Sequence, residues 1–450
     1  MAVFSTDLSG TVETLLENKR YNSVRDVLST INAADIAVIF EDQPAAKLSL
    51  LFRLLPKELA ADVFVEMSSE SQEELINAFS DAELSEIVNE MYTDDAADLV
   101  EEMPANVVKR ILAQASPEMR KHINELLKYP EDSAGSIMTT DYADLSPNMT
   151  AAEALDNIRL TGIDKETIDI CYVVEKRKLL GSISLRTLVL AKPNDRVSSL
   201  MDENVISAGT LDDVEQAAEM FAKYDLTALP VVDGENRLVG IITVDDAIDV
   251  IREEATEDME KMAALTPSDK PYLKLGVFEL YKNRIPWLLL LMISAVFTQM
   301  IIGSFETALA AQIILTSFIP MLMDTGGNSG SQASVTIIRS ISLGEVQFSD
   351  ILGIIWKEIR VAVLCGVTLA GVEFIKLMLI DSVSAAIAAT VCLTLVATVT
   401  IAKFFGCTLP LIVKKIGFDP AVMASPMITT IVDAISLIIY FGIASALLGL

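Results

Sequence analysis

Charged and apolar residues are segregated along this chain, and no other feature limits its fold as strongly. The 450 residues include 63 acidic and 34 basic side chains, a formal net charge of −29, and yet 52% of them are hydrophobic. Residues 273–450 contain ten basic and ten acidic side chains, so the whole net charge belongs to residues 1–272. The sequence therefore predicts an acidic, water-exposed first part and an apolar second part.

This composition excludes several classes of protein. A nucleic-acid-binding protein needs a basic face, and so acidic a chain predicts no nucleic-acid partner. The four cysteines are scattered, unlike those of a secreted disulfide scaffold. His122 is the only histidine, which argues against zinc sites and histidine-based catalysis, and we expect no enzymatic activity. The first ten residues lack a signal-peptide pattern, so we expect the N-terminus in the cytoplasm.

The apolar part predicts a membrane domain. A membrane-spanning helix needs about 20 mostly apolar residues, and five candidate spans follow Pro271, at about 285–305, 308–338, 351–380, 384–410 and 426–450. With the N-terminus inside, nine basic residues flank the inner side and only Lys376 flanks the outer side. By the positive-inside bias, this predicts a multi-pass protein of the cell (inner) membrane with cytoplasmic soluble domains and the C-terminus outside.

Polar residues inside predicted spans are candidate functional residues because they are costly in lipid. The second span places Asn328 and Gln332 one turn apart within a glycine-rich run. The fifth contains Asp433, which must bind a cation, take up a proton or meet a symmetry mate. We interpret it as a cation ligand. Because Glu358 lies between Lys357 and Arg360, we expect Glu358 to be a paired residue at the membrane interface.

Glu373 precedes Lys376 by three residues, and this spacing predicts an ion pair on one helix face.

Residues 131–250 contain two similar units, each reading β-α-β-β-α. The first includes Gly181-Ser-Ile-Ser-Leu185 and the second Gly240-Ile-Ile-Thr-Val244, which are 59 residues apart. Together with the run PVVD…GIITVDDAI, this pattern resembles a CBS-domain pair. The resemblance implies that an adenine nucleotide such as ATP can bind between the repeats, with Thr243 and Asp246 at positions that touch ribose.

Two further acidic helical regions flank this pair. Residues 1–130 read as short amphipathic helices interrupted by prolines, a helical superhelical domain in which Asp94 and Asp98 lie one turn apart. Residues 245–264 predict a long helix crowded with carboxylates. Because like charges three or four residues apart repel each other, we expect divalent cations at this helix.

The complete arrangement resembles the MgtE-type magnesium channels. The most specific stretches are PMLMDTGGNSGSQASVTIIRSISLGE in the second span and DPAVMASPMITTIVDAISLIIYF in the fifth. The resemblance implies a multidomain membrane protein with an all-α N-domain (1–130), an α/β CBS pair (131–250), a connecting plug helix (251–272) and a five-helix all-α pore domain (273–450). It also implies a homodimer whose pore lies on the two-fold axis.

The family's Mg²⁺ ligands fall on particular residues of this sequence. The resemblance assigns the pore site to Asp433 and implies that Asn328 and Gln332 line the pore. It places the cytoplasmic Mg²⁺-sensing carboxylates at Asp94, Asp98, Asp246, Asp249, Glu254, Glu257, Asp258 and Asp419.

The function expected from these features is a Mg²⁺-selective channel that imports Mg²⁺ down the membrane potential and is closed by cytoplasmic Mg²⁺. One alternative is an ion-coupled carrier for another divalent metal such as Mn²⁺ or Co²⁺, although softer metals favour histidine and cysteine ligands that the spans lack. A membrane-anchored nucleotide sensor is another alternative, against which the depth of Asp433 argues.

Overall fold

A computed structural model of the chain describes residues 2–41, 43–268, 270, 272–423 and 425–449. It separates into two units, Met1–Ile251 and Arg252–Leu450. The boundary between the units falls inside one helix, Val244–Met262. The border expected at residue 250 between the CBS pair and the plug helix is therefore not a break in secondary structure.

The first part of the first unit is helical, as the sequence predicts. Its helices are α1 (Ala2–Glu17), α2 (Tyr21–Leu28), α3 (Ala33–Glu41), α4 (Ala45–Phe52), α5 (Lys57–Val65), α6 (Ser69–Ala78), α7 (Asp81–Glu90), α8 (Thr93–Glu102), α9 (Ala105–Gln114) and α10 (Pro117–Leu126).

Local sequence explains where several of these helices start. Pro44, Pro56 and Pro104 each occupy the N-cap, and Pro117 is at the first helical turn of α10, where proline costs no hydrogen bond. Ser80 caps α7 in a reciprocal capping box with Glu83. The apolar faces of α1–α10 share one continuous core.

The CBS pair consists of two similar halves. The first contains β1 (Tyr142–Leu145), α11 (Ala151–Thr161), β2 (Thr167–Glu175), β3 (Lys178–Ser184) and α12 (Leu185–Leu190). The second contains α13 (Val197–Leu200), β4 (Ala208–Gly209), α14 (Val214–Tyr224), β5 (Ala228–Val232), β6 (Leu238–Thr243) and α15 (Val244–Met262). In each sheet the first strand pairs parallel with the second, and the second pairs antiparallel with the third. The predicted β-α-β-β-α repeat is confirmed.

Each repeat is completed by a segment that precedes the other. Thr139, which precedes the first repeat, bridges Ile241 of β6, and Asp202, which precedes β4, bridges Ser182 of β3. A Cβ on Gly240 would lie 2.7 Å from the Thr139 carbonyl oxygen, and one on Gly181 would lie 2.7 Å from the Asp202 carbonyl oxygen. The glycines spaced 59 residues apart therefore permit the same close backbone approach in both repeats.

The second unit is helical, and most of its helices are long and apolar. They are α16 (Val277–Ser304), α17 (Glu306–Ala311), α18 (Ile319–Ser342), α19 (Ile351–Leu379), α20 (Ala385–Lys415) and α21 (Ser425–Leu448). Among the described residues, four segments are long and apolar enough to cross a membrane: Val277–Ser304, Phe348–Leu379, Ala385–Lys415 and Pro420–Leu448.

The second predicted span, 308–338, is not one continuous helix. It is divided among α17, a 3₁₀ turn at Ile313–Phe318, and α18. The division falls where Gln312 leaves helical geometry and Pro320 begins the next helix. The polar, glycine-rich sequence of α18 explains why length and composition alone do not identify it as a membrane span.

Glycines bring α18 into close contact with α20 and α21. A Cβ on Gly326 would lie 2.6 Å from Thr398 Cγ2 of α20, and one on Gly327 would lie 2.9 Å from Thr429 Cγ2 of α21. Gly406 of α20 lies directly against the Gly330 carbonyl oxygen of α18. Small residues at such crossings allow helix backbones to approach closely in membranes.

We therefore expect Gly406→Ala to destabilise the membrane unit by about 1–3 kcal/mol, because the added methyl group would overlap the backbone of α18. Gly371→Ala is the matched control, since Gly371 is also in a long helix and no other group lies within 4 Å of an added Cβ. Thermal unfolding of both variants in detergent measures the difference. Equal midpoints would contradict the packing described here.

Candidate metal centres

Acidic side chains from three parts of the first unit converge. Helix α8 contributes Asp94, Asp95 and Asp98; Glu166 comes from the turn before β2, and Asp246 from the first turn of α15. Hydrogen bonds hold the start of α8 in place: the Thr93 amide donates to Asp141 Oδ2 at 3.2 Å, and the Thr140 amide donates to Thr93 Oγ1 at 2.9 Å. These five carboxylates are called the cytoplasmic cluster below.

The cytoplasmic cluster holds more negative charge than its surroundings offset. Asp94 is 7% exposed, and neither Asp94 Oδ1 nor Glu166 Oε2 has a hydrogen-bond partner. Burial, and then the charge of Asp95, raises the pKa of Asp94 well above its ordinary value. Burial and the charge of Asp246 raise the pKa of Asp95 to about 7, and burial and the charges of Asp95 and Asp246 raise that of Glu166 to about 8. Carboxylates in this situation require protons or cations.

Asp98 and Asp246 form the edge of the cluster. Asp98 reaches solvent, yet the protein around it, together with the charges of Asp95 and Asp246, raises its pKa to about 7. Asp246 is half-buried, and burial raises its pKa to about 6 although Thr243 donates to it. The cluster therefore opens to water on one side.

The predicted nucleotide contacts are engaged with each other in this structure. Thr243 is buried, and its hydroxyl donates to Asp246 Oδ2 at 2.6 Å. Their contact with ribose stays a prediction.

Within the described residues, no three histidine, cysteine, aspartate or glutamate side chains are close enough to hold a metal ion directly.

The other carboxylates predicted to sense Mg²⁺ follow along α15, apart from Asp419. Asp249 is exposed, whereas Glu254, Glu257 and Asp258 are half-buried. In the second unit, Lys261 Nζ lies 2.7 Å from Glu257 Oε1 and 2.7 Å from Asp419 Oδ2. Burial and the nearby charge of Asp419 raise the pKa of Asp258. The structure thus brings Glu257, Asp258 and Asp419 together around a lysine.

Three of the polar residues predicted in the membrane lie along one face of α18. Asp324, Asn328 and Gln332 follow each other at intervals of four residues and are exposed, while the glycines of α18 face α20 and α21. Asp433 of α21 is half-buried and lies within electrostatic range of Asp324. Asp324, Asn328 and Gln332 line a cavity of about 500 Å³.

The sequence also predicts that Glu373 and Glu358 of the membrane unit are paired. Glu373 Oε1 lies 3.0 Å from Lys376 Nζ, which confirms that ion pair. Glu358 is also paired, as expected, but its partner is not a neighbour in sequence: Glu358 Oε2 lies 3.7 Å from the buried Lys403 Nζ of α20. Only helix packing brings residues 45 positions apart together.

Two residues of these candidate metal centres, Glu166 and Lys261, were not predicted from the sequence. Glu166 had no recognisable signal, because it joins the cluster only through the packing of α8 on the CBS pair. Lys261 was visible as one of two basic residues among many acidic ones, but its position between Glu257 and Asp419 depends on the tertiary fold.

Comparisons with known proteins define the class. The MgtE intracellular N domain matches residues 31–132, CBS domains match 134–194 and 197–253, and the MgtE divalent cation transporter domain matches 319–443. The fold and these matches define a multi-pass membrane transporter of divalent cations that carries a CBS-domain pair.

Curated relatives extend over nearly the whole chain. The magnesium transporter MgtE of Thermus thermophilus is 36% identical over 450 residues, covering 98% of each chain. That of Bacillus subtilis is 34% identical over 437 residues, covering 96% of this chain and 95% of the relative. The chain belongs to the MgtE family of magnesium transporters.

Two solved structures are similar to just over half of this chain. The soluble part of a magnesium transporter is 30% identical with a TM-score of 0.53, covering 56% of this chain and 99% of that one. The cytosolic domain of the Mg²⁺ channel MgtE in complex with ATP is 36% identical with a TM-score of 0.51, covering 54% and 99%.

The raised pKa values predict how pH affects the cytoplasmic cluster. Asp95, Asp98, Glu166 and Asp246 have ordinary pKa values of 3.8 or 4.5, and folding raises them to about 6–8. Between about pH 4 and pH 8 the folded chain then binds more protons than the unfolded chain, so the free energy of unfolding falls as pH rises. Without divalent cations, the protection of α8 amides against hydrogen exchange, relative to the intrinsic rate at each pH, should therefore be lower at pH 8 than at pH 6.

Asp95→Asn should raise the opening free energy of α8 at pH 8 by about 1–3 kcal/mol, because it removes one repelling charge. Asp26→Asn, at an exposed position of α2, is the control and should change nothing. Added Mg²⁺ should slow exchange in the parent at pH 8. If the protection of α8 in chelator were the same at pH 6 and pH 8, this assignment would be contradicted.

Proposed function

We propose that this chain forms a Mg²⁺ channel that imports Mg²⁺ down the membrane potential and is closed by cytoplasmic Mg²⁺. The observation that supports this most is the cytoplasmic cluster, whose buried carboxylates act on one another and need a counter-cation. Cation binding there stabilises the closed arrangement of α8 against the CBS pair. When the ions leave, repulsion favours separation of α8 from Asp246.

The continuous helix α15 supports a route from this sensor to the membrane. It carries Asp246 in its first turn and Glu257 and Asp258 near its end. In the second unit, Met262 packs with Ile338 of α18 and Ala421. We infer that ion binding by Asp246 and Asp249 biases the plug through α15, because the same helix carries both groups of carboxylates.

At the plug, Mg²⁺ and Lys261 have complementary roles in the proposal. Lys261 holds Glu257 against Asp419, and a divalent cation bound by Glu254, Glu257 or Asp258 adds charge to the same junction. Closing a gate from 1:99 to 99:1 takes about 5.5 kcal/mol of differential binding. Several sites contributing about 1–2 kcal/mol each can supply this amount, and the closing curve should then be steep.

The pore in this proposal is lined by α18 and α21. The face with Asn328 and Gln332 is polar and exposed in a single chain, and lipid is a poor solvent for such a face. A second copy related by a two-fold axis would cover it and bring two Asp433 side chains together, so we infer a homodimer. Hydrated Mg²⁺ suits a site with few carboxylates and many polar oxygens.

The driving force and the orientation complete the proposal. A divalent ion gains about 4.6 kcal/mol per 100 mV of membrane potential, and the distribution of basic residues favours cytoplasmic soluble domains with the C-terminus outside. The ATP complex of the similar cytosolic domain supports ATP as a ligand of the CBS pair here, with Thr243 and Asp246 as candidate contacts.

Asp433→Asn should reduce the apparent Mg²⁺ affinity of uptake roughly tenfold to a hundredfold, because an amide lacks the charge that strengthens the interaction. Uptake by proteoliposomes that contain a Mg²⁺ dye measures this. Asp381→Asn is the control, since Lys376 keeps its bond to Glu373 there. If both variants took up Mg²⁺ as the parent does, Asp433 would not be the pore ligand.

The gating proposal is tested by replacing Glu254, Glu257 and Asp258 together with glutamine, glutamine and asparagine. We expect this channel to stay open at cytoplasmic Mg²⁺ concentrations that close the parent, because the plug has lost its ligands. Open probability in excised patches, recorded against Mg²⁺ concentration, measures the effect.

A charge-matched control replaces Glu70, Glu73 and Glu74 of α6 with glutamine. If the acidic residues only keep the protein soluble, both triple variants will close as the parent does, and the gating proposal fails.

A further inference from the structure

Lys403 is a buried basic residue inside the membrane unit. Its side chain is 7% exposed, and its ammonium lies 3.7 Å from Glu358 Oε2, whose side chain is 16% exposed. An ammonium group within a bilayer is costly unless it is paired, and such residues usually mark a pathway for ions. At 3.7 Å the pair is long for a hydrogen bond, so Glu358 is an electrostatic neighbour of Lys403 and does not fully occupy its three donors.

Lys403 also faces the polar side of α18. It lines the same cavity of about 500 Å³ as Asp324, Asn328 and Gln332, with Cys365 and Thr368 of α19. The contact of Gly406 with the Gly330 carbonyl oxygen holds α20 close to α18 one turn away. The cavity therefore contains one fixed positive charge beside the carboxylate of Asp324.

Charges in this region are close enough to act on one another. Asp324 is within electrostatic range of Asp433, so the charge balance of the cavity affects the proposed pore ligand. Asp324, Glu358 and Asp433 are acidic and Lys403 is basic, which leaves two negative charges per chain. Without Lys403 there would be three.

We propose that Lys403 is a specificity-determining positioning residue, a fixed ammonium that lowers the negative charge of the permeation path and limits how tightly the path holds a divalent cation. This inference rests on the proposed function. A path with too much negative charge would retain the ion, and conduction requires that the ion can also leave.

The added charge would also change selectivity. Ca²⁺ accepts six to eight oxygen ligands and loses water more easily than Mg²⁺. Additional carboxylate charge in the path therefore favours Ca²⁺, which exchanges its water for carboxylate oxygens more readily than Mg²⁺ does. Lys403 therefore favours Mg²⁺ over Ca²⁺ by keeping carboxylate charge low.

The test uses the full chain in proteoliposomes of phosphatidylethanolamine and phosphatidylglycerol, with Mg²⁺ uptake and its inhibition by Ca²⁺ as readouts. Lys403→Gln should bind Mg²⁺ more tightly, lower the maximal uptake rate and strengthen inhibition by Ca²⁺ about tenfold, since one charge is removed close to a divalent ion. Lys403→Arg keeps the charge and should behave as the parent does.

Two further variants separate this role from a merely structural one. Asp324→Asn with Lys403→Gln restores the net charge of the cavity and should restore the parent's selectivity. Asp324→Asn alone should shift both readouts in the opposite direction to Lys403→Gln, and it keeps the inference testable if Lys403→Gln does not fold.

The outcomes are distinct. If selectivity is restored only by combining Lys403→Gln with Glu358→Gln, Lys403 merely neutralises Glu358 and the inference is overturned. Unchanged Ca²⁺ inhibition in both Lys403→Gln and Asp324→Asn also overturns it. Asp433→Asn in the same assay tests the proposed pore separately. If Asp433→Asn transports Mg²⁺ normally, the proposed pore fails. If Asp433→Asn loses transport while Lys403→Gln behaves as the parent does, only this inference is refuted.

Discussion

Carboxylates that leave water have to be neutralised, and most of the polar architecture of this chain follows from that requirement. Neutralisation is needed at three sites. Protons or mobile cations are needed at the cytoplasmic cluster, where Asp94 Oδ1 and Glu166 Oε2 are buried without partners. A lysine serves at the plug, where Lys261 bridges Glu257 and Asp419, and another serves in the membrane, where Lys403 pairs with Glu358. A mobile ion can leave and a lysine cannot, so the first site suits sensing and the other two suit positioning.

Glycine has a second organising role, because it allows backbones to meet where charges must be brought together. Gly406 against Gly330 positions Lys403 beside the polar face of α18. In the CBS pair, Gly181 and Gly240 admit the segments that complete each sheet, and the second sheet leads into α15 and Asp246. The chemistry of the candidate sites thus depends on residues that have no side chain.

Much of this could be predicted from the sequence because local patterns carry it. The separation of charge from apolar residues indicated the membrane part, the repeat of Gly181 and Gly240 indicated the paired modules, and prolines located several helix starts. Asp94 and Asp98 could be placed on one face by spacing alone. Glu166, the pairing of Glu358 with Lys403 and the bridge of Lys261 could not, because each depends on contacts between elements distant in sequence. The position of the break at Gln312 could not be predicted either, since a long apolar run conceals a local change of backbone geometry.

The exchange of edge segments in the CBS pair has a consequence for how such a module can be divided. Thr139 closes the sheet of the second repeat, and Asp202 closes the sheet of the first. Cutting the chain at the linker near residue 195 would leave each fragment holding the closing segment that belongs to the other. Neither fragment could finish its own sheet, and both would expose an edge open to unintended pairing. The pair, and not the single repeat, is the smallest piece that could be moved into another chain and still fold.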